Sequence, residues 1–234
     1  MKLLTLLLLF LLNTLNFSQT ENNISKQIWF DYYQFHTVDV HFRYYGNIGI
    51  YGAVNHNKWL NVFIRPAVRW IVNQNLNYSG GIGLYYTDNF EMPNNSEFRI
   101  WEGISYVWPK FTDITFTHLV RMEQRFNFPT DTWDMEFNIR MRYKLSSKIF
   151  LHYINKKGGE FLYLPFSAEL FFQTGEKITE QFNDKIRLTI GLGYKINFEW
   201  TLEAFYTSQS SRESIEHYFQ TSAHLFQFKL KRYL

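Results

Sequence analysis

The stretch Thr132–Leu145, TWDMEFNIRMRYKL, alternates without interruption between polar and apolar side chains. Its even-numbered positions are polar, and its odd-numbered positions, from Trp133 to Leu145, are apolar. A period of two puts successive side chains on opposite faces of a β-strand. The stretch therefore predicts a strand with one polar face and one apolar face.

The same period recurs along most of the chain. It is clear over Asn57–Val72, Ile114–Phe126 and Asp184–Ile196. Ser146-Ser147 is expected to form a turn, and the last strand changes phase near Leu225-Phe226, which predicts a bulge or an interruption there. The other expected strands are Gln27–Tyr33, Val38–Tyr51, Leu76–Tyr86, Glu97–Trp108, Lys148–Tyr153, Leu162–Phe172, Phe198–Ser208 and His217–Leu234. The count is ten to twelve, which predicts an all-β protein.

The N-terminal residues Met1–Ser18 are typical of a cleaved signal peptide. Lys2 is followed by the apolar run Leu3–Leu12, and Ser18 offers a small residue at the cleavage point. The run is too short to span a bilayer as a helix, and no later segment reaches about 18 apolar residues. Residues 19–234 are then expected to form one domain that enters a membrane only as strands.

Composition excludes several classes of protein. The chain has no cysteine, so it has neither a disulfide framework nor a lipid-modified N-terminal cysteine. The formal net charge of +3 is small, which argues against a nucleic-acid partner. Aromatic residues make up 20% of the chain, an excess that suits the aromatic girdles of membrane barrels.

Alternation alone does not say which face points inward, because a soluble lipocalin-like barrel has apolar residues inside. Ten to twelve strands would leave an interior too wide for apolar side chains to fill, and the polar faces combine Arg with Glu. We therefore predict an antiparallel transmembrane β-barrel with a mixed-charge lumen, in which Gly81, Gly83, Gly191 and Gly193 leave room for long neighbours. The expected lumen charge network is Glu97, Arg99, Arg121, Glu123, Arg125, Glu136, Arg140, Arg142, Glu169 and Arg187.

Several short motifs follow one another on these faces. They are Glu97-x-Arg99-x-Trp101, Arg121-x-Glu123-x-Arg125-Phe126, Arg140-x-Arg142-Tyr143, Glu169-x-Phe171, and Arg187 ahead of Gly191-x-Gly193-Tyr194. Their order resembles the domain-of-unknown-function family 2490, predicted outer-membrane β-barrels of Gram-negative bacteria. The family has no established activity, so the resemblance implies a fold and a location only. Glu102 departs from the pattern, because it falls on the expected lipid face.

Motifs of catalysis are missing from the sequence. None of the seven histidines forms a His-x-x-x-His or Glu-x-x-His metal pair, and no Gly-x-Ser-x-Gly elbow occurs. His118 falls on the expected lipid face, and the carboxylates Glu123 and Glu136 are flanked by arginines. We predict no catalytic residues, no metal and no cofactor.

Three functions remain open. The first is a porin-like outer-membrane barrel that passes or binds small polar solutes, with the bilayer and the barrel-assembly machinery as its partners. The second is an outer-membrane enzyme acting on lipid or peptide, which would need a His–Ser pair assembled across strands. The third is a soluble periplasmic lipocalin-like binding barrel.

Overall fold

Eleven β-strands make up the fold in the computed structural model, which describes residues 24–55, 58–109, 114–175, 184–212 and 218–234. The expected signal peptide lies outside these residues. Within them, no helix is long and apolar enough to cross a membrane. The strands are β1 Ser25–Thr37, β2 Phe42–Ala53, β3 Trp59–Ile71, β4 Leu76–Asn89, β5 Asn95–Val107, β6 Ile114–Pro129, β7 Glu136–Asn155, β8 Glu160–Gly175, β9 Asp184–Lys195, β10 Trp200–Arg212 and β11 Gln220–Tyr233.

The strands form one closed barrel, which confirms the expected fold class. Each strand pairs antiparallel with the next one along the chain, and β1 closes the barrel against β11. This last pair is parallel, with a register from Ser25 opposite Ala223 to Phe35 opposite Tyr233. An odd number of up-and-down strands makes the first and last strands run the same way. The parallel seam is thus the one departure from an antiparallel barrel.

One end of the barrel carries short turns, residues 38–41, 72–75, 156–159 and 196–199, and we call it the short-turn end. A side-chain oxygen holds each turn. Asp39 Oδ1 accepts hydrogen bonds from the backbone N–H of His41 (2.6 Å) and Phe42 (2.7 Å), and these bonds lower the pKa of its carboxyl group. Asn73 and Asn197 accept two backbone N–H groups each in the same way. The opposite end is called the loop end.

Strand β7 differs from its expected bounds. It begins at Glu136, and residues 132–135 belong to the connection from β6, where Trp133 adopts a φ of 58°. The expected turn at Ser146-Ser147 is wrong. Both serines lie inside β7 and pair with strands on both sides, so backbone hydrogen bonds to two neighbours outweigh the local turn preference of serine. The segment Lys148–Tyr153 continues β7, with register shifts after Phe150 and Tyr153.

Strand β11 keeps a single phase where a change was expected. Ala223, Leu225 and Gln227 point inward and are at most 9% exposed, whereas Phe226 on the opposite face is 49% exposed. The inward Leu225 is apolar like its outward neighbour, and two adjacent apolar residues in the sequence suggest a change of phase. The irregularity in this strand pair lies nearer the loop end, where the β10–β11 register shifts between Gln209 and Ser210 of β10.

The inner faces carry the charges and the outer faces are apolar. Inward positions are odd-numbered in ten strands and even-numbered in β7. On β3, for example, inward Phe63 is 6% exposed, while outward Ile64 is 50% exposed. The orientation is therefore opposite to that of the lipocalin-like alternative, which needed apolar inner faces. Glu102 is exposed on the outer face in the regular β5 register.

Candidate functional site

Glu123 on β6 lies at the centre of a cluster of arginines inside the barrel, and only 1% of its surface is exposed. Arg140 on β7 donates to Oε2 through Nε (2.8 Å) and also through Nη2. Arg142 Nη1 donates to Oε1 at 2.8 Å, and Arg99 Nη1 lies 3.4 Å from Oε2. The register explains these contacts, because Glu123 stands directly opposite Arg140 and next to Arg142 across the β6–β7 pair.

Two further carboxylates extend the cluster around the wall. Glu97 on β5 accepts hydrogen bonds from Arg99 (2.7 and 2.9 Å) and from both Nε and Nη2 of Arg125 (2.7 and 3.0 Å). Glu169 on β8 accepts from Arg142 at 2.5 and 3.1 Å. Since Arg142 bonds both Glu123 and Glu169, the ion pairs run without a break from β5 to β8.

Eight of the ten expected network residues take part in these ion pairs, and the other two, Glu136 and Arg187, do not. Glu136 is exposed at the beginning of β7, and it takes part in no ion pair within the described chain. Arg121 lies 4.0 Å from Glu123 and stacks on Trp101, with its guanidinium carbon 3.9 Å from the ring centroid. Arg187 faces the same interior but bonds Gln209 (2.8 Å) rather than a carboxylate.

A second cluster, around Asp31, was not expected from the sequence. Asn47, Tyr51 and Gln227 donate to its carboxylate at 2.9, 3.0 and 2.5 Å, and Arg65 Nη2 lies 3.5 Å away. The cluster joins β11, β1, β2 and β3, and so it spans the closing seam. The alternation around Asp31 is weak, because the inner face of β1 also carries aromatic residues.

A third cluster surrounds Glu203 on β10 and was also missed. Tyr163 donates its hydroxyl to Glu203 at 2.5 Å, and Lys231 Nζ lies 2.7 Å from the other carboxylate oxygen. Glu203 does fall on the polar face of a clearly alternating segment, and that position was the available signal. Lys229 lies two residues before Lys231 on β11, and its Nζ is 4.3 Å from the ring centroid of Phe205.

The inward glycines make room for aromatic rings, as expected. A Cβ built on Gly193 would come within 2.2 Å of the Tyr163 ring, and one on Gly191 within 2.5 Å of the Phe205 ring. Gly81 and Gly83 are similarly close to Trp101 and Tyr85. Many aromatic residues therefore line the interior as well as the outer surface.

The described residues line two cavities inside the barrel. The larger has a volume of about 630 Å³ and reaches from Trp59 near the loop end to Lys148. Ten of its described lining side chains are Lys or Arg, and three are Glu. The second, about 610 Å³, lies at the short-turn end, where Lys148 and Lys195 stand among aromatic rings such as Phe161 and Tyr163. Lys148 lines both cavities.

Metal-binding and histidine chemistry have little support in the described residues. They contain no group of three or more His, Asp or Glu side chains that could hold a metal ion. His118 Nδ1 lies 2.7 Å from the Tyr143 hydroxyl, and His224 Nδ1 lies 2.8 Å from that of Tyr206, both on the outer face. No described histidine lines the larger cavity.

Comparison with known proteins finds a similar solved structure and a matching family. No curated protein matches the chain. The crystal structure of the beta domain of the Bordetella autotransporter BrkA is similar over 73% of this chain and 77% of that one, with 10% sequence identity and a TM-score of 0.48. The sequence model described as "Protein of unknown function (DUF2490)" matches residues 26–220, from β1 to the first residue of β11. The chain therefore belongs to the DUF2490 family of proteins of unknown function.

Proposed function

We propose that this protein is an outer-membrane β-barrel whose lumen binds or passes small polar solutes. The observation that carries the proposal is the inverted distribution of polarity, with buried ion pairs inside and exposed aliphatic side chains outside. A soluble protein rarely exposes a contiguous apolar patch of more than a few hundred Å². Here the outer face of nearly every strand is apolar, as at Ile64 (50% exposed), Leu84 (53%) and Leu188 (59%).

Aromatic side chains near both ends of the outer face support a membrane position. Toward the short-turn end, Trp108 packs between Tyr106 and His118 at centroid distances of 6.5 and 5.9 Å, and His118 contacts Tyr143. Trp and Tyr favour the boundary between lipid and water, because their rings are apolar and their N–H or O–H groups can stay hydrated.

A second aromatic row lies toward the loop end. Phe126 packs against Phe98 and Phe137 at centroid distances of 6.0 and 5.1 Å. Two such rows with aliphatic residues between them match the girdles of outer-membrane barrels. We propose that the short-turn end faces the periplasm, as short turns usually do, and that the protein reaches the membrane through its signal peptide and the barrel-assembly machinery.

The interior suits a solute. A volume of about 630 Å³ falls within the range of small-molecule sites, and the ion pairs from β5 to β8 hold its polar walls in place. We propose a non-enzymatic role, and the absence of histidine from the described cavity lining supports it. An enzyme acting on lipid or peptide is the alternative, and no described contact favours it.

The test begins with cell fractionation and heat-modifiable migration of the extracted protein. We expect recovery with the outer membrane and a folded band that shifts on boiling. Purified protein in liposomes is then expected to admit small neutral sugars, measured by swelling, or to bind them without transport, measured by equilibrium dialysis. Recovery as a detergent-free soluble protein would refute the membrane assignment. Correct fractionation with neither entry nor binding of any small polar solute, whether a neutral sugar or a small anion, would refute the solute role.

A further inference from the structure

We infer that the lumen selects anions, and that Lys144, Arg187 and Lys229 form a binding wall for small carboxylate or phosphate compounds. The inference rests on the proposed function, since it requires that solutes enter the lumen. We call these three residues the cationic wall. They lie on β7, β9 and β11 and all line the larger cavity.

The charge of the cavity supports the inference once the ion pairs are assigned. The three lining glutamates are occupied, because Glu97 pairs with two arginines, Glu169 with Arg142, and Glu203 with Lys231. In the described part of the chain, the cationic wall and Lys148 have no carboxylate oxygen within 4.0 Å. The cavity therefore keeps an excess of positive charge after its internal pairing.

The register shows why the neighbouring acids do not neutralise the cationic wall. Lys144 and Arg187 stand on either side of Glu169, but that carboxylate accepts both of its close hydrogen bonds from Arg142. Lys229 stands opposite Glu203, whose oxygens are taken by Tyr163 and Lys231.

Asp31, the other acid opposite Lys229, lies across the seam. It is already bonded by the Asn47, Tyr51 and Gln227 side chains. Each acid next to the cationic wall therefore directs its close contacts to another partner. Glu169 attracts Lys144 and Arg187 at longer range, and the donor groups of the wall stay available to a solute.

Arg187 is held in position for an oxyanion. Its Nε donates to Gln209 at 2.8 Å, and its guanidinium carbon lies 4.8 Å from the ring centroid of Phe171 and 5.1 Å from that of Trp29. Neither terminal nitrogen has a hydrogen-bond partner among the described residues. A guanidinium fixed in this way presents a planar fork that matches carboxylate or phosphate oxygens.

Lys144 and Lys229 add flexible donors to the same cavity. They repel one another, and Lys144 also repels Arg187. A bound anion would relieve this repulsion, whereas a cation would add to it. The geometry thus selects the sign of the solute, and the volume of about 630 Å³ limits its size.

The test measures binding to the refolded, detergent-solubilised barrel by titration calorimetry at low salt. The probes are inorganic phosphate, succinate, glucose and tetramethylammonium. We expect phosphate or succinate to bind and tetramethylammonium not to bind. Lys144→Gln and Lys229→Gln should each weaken anion binding about tenfold, the value of one charge-assisted hydrogen bond. Lys157→Gln, in an exposed turn, is the matched control and should bind as the wild type does.

The outcomes separate this inference from the proposed function. Binding of phosphate alone or of succinate alone would assign the site to that oxyanion, and binding of both would assign it to small oxyanions in general. Binding of neither by the wild type overturns the inference, even if neutral sugars enter liposomes and the proposed function stands. Equal anion binding by the wild type and by heat-modifiable, folded Lys144→Gln and Lys229→Gln barrels overturns it as well. The wild-type comparison of anion with cation needs no variant and so does not depend on variant folding.

Discussion

Among the described residues, Glu123 is the carboxylate with the largest number of arginine partners. Four arginine side chains lie within 4.0 Å of its carboxylate, and for Arg140 it is the sole carboxylate partner among the described residues. A buried ion pair adds little net stability compared with a well-packed apolar pair, but removing one partner leaves an uncompensated charge. The cluster therefore makes the barrel sensitive to the loss of this carboxylate.

Glu123→Gln should lower the free energy of unfolding by about 3–5 kcal/mol, because it leaves buried arginines without a counter-charge. Urea titration of the barrel folded in lipid vesicles, followed by tryptophan fluorescence, measures the change. Glu136→Gln is the control, since Glu136 is exposed, and it should stay within about 0.5 kcal/mol of the wild type. Equal effects of the two substitutions would show that Glu123 is not the centre of a buried network.

Gly193 shows the packing limit of the interior. Gly193→Ala would press a methyl group against the Tyr163 ring and displace the Tyr163 hydroxyl from Glu203, at a cost of about 1–3 kcal/mol. Gly80→Ala is the control, because the outward Cβ would meet nothing closer than the backbone oxygen of Trp101 at 3.6 Å. The same urea titration should find Gly80→Ala close to the wild type, and a loss as large as that of Gly193→Ala would contradict the assigned faces.

At the scale of one element, β3 shows how a strand divides its two environments. Its inward side chains include Phe63, Arg65 and Ala67, while Ile64 and Val68 on the outward face are aliphatic and about half exposed. If lipid covers the outer face, the cost of a charge there must depend on depth, because the hydrocarbon core is the only part that cannot solvate it.

Ile64→Lys and Val72→Lys test this dependence on one strand. Ile64 lies near the middle of β3, and Val72 follows its last residue at the short-turn end. In phospholipid vesicles, Ile64→Lys should cost about 2–4 kcal/mol and Val72→Lys about 0–1 kcal/mol, measured by urea unfolding. Both substitutions should be nearly neutral if water covers the outer face, and that result would refute the membrane position.

Strand β7 shows how much of an element its own sequence can predict. The alternation from Glu136 to Leu145 correctly gave a strand and its two faces. The strand expected over Lys148–Tyr153 is present, but its continuity with this one through Ser146-Ser147 was not predicted, because backbone pairing with β6 and β8 decides it. Conversely, residues 132–135 alternate but have no partner strand, and they form part of a connection.

At the scale of the whole molecule, the closing seam is the feature that no local sequence pattern predicts. It joins β1 and β11 in parallel, and Gln227 of β11 donates to Asp31 of β1 across it at 2.5 Å. Parallel and antiparallel closure place different residues opposite one another. Since the chain has no cysteine of its own, engineered cysteine pairs can distinguish the two arrangements without competing thiols.

Parallel pairing puts Ile28 opposite Phe226 and Tyr32 opposite Leu230. The double variants Ile28→Cys/Phe226→Cys and Tyr32→Cys/Leu230→Cys should therefore form disulfides under mild oxidation, because opposed strand residues lie within the Cα separation that a disulfide spans. Faster migration of the unfolded, unreduced chain in gels reports the cross-link. The swapped variants Ile28→Cys/Leu230→Cys and Tyr32→Cys/Phe226→Cys should not cross-link, and efficient cross-linking in them would contradict the parallel seam.

Alternation along the chain predicted most of the strands, the charged inner faces and eight of the ten residues assigned to the ion-pair network, because a period of two is a local property of the chain. Tertiary structure alone decided the number eleven, the parallel seam, the Asp31 cluster and the exposure of Glu136. Those features depend on which residues of distant strands stand opposite one another. Register and closure bring together residues as far apart as Asp31 and Gln227, and no spacing along the chain encodes that contact.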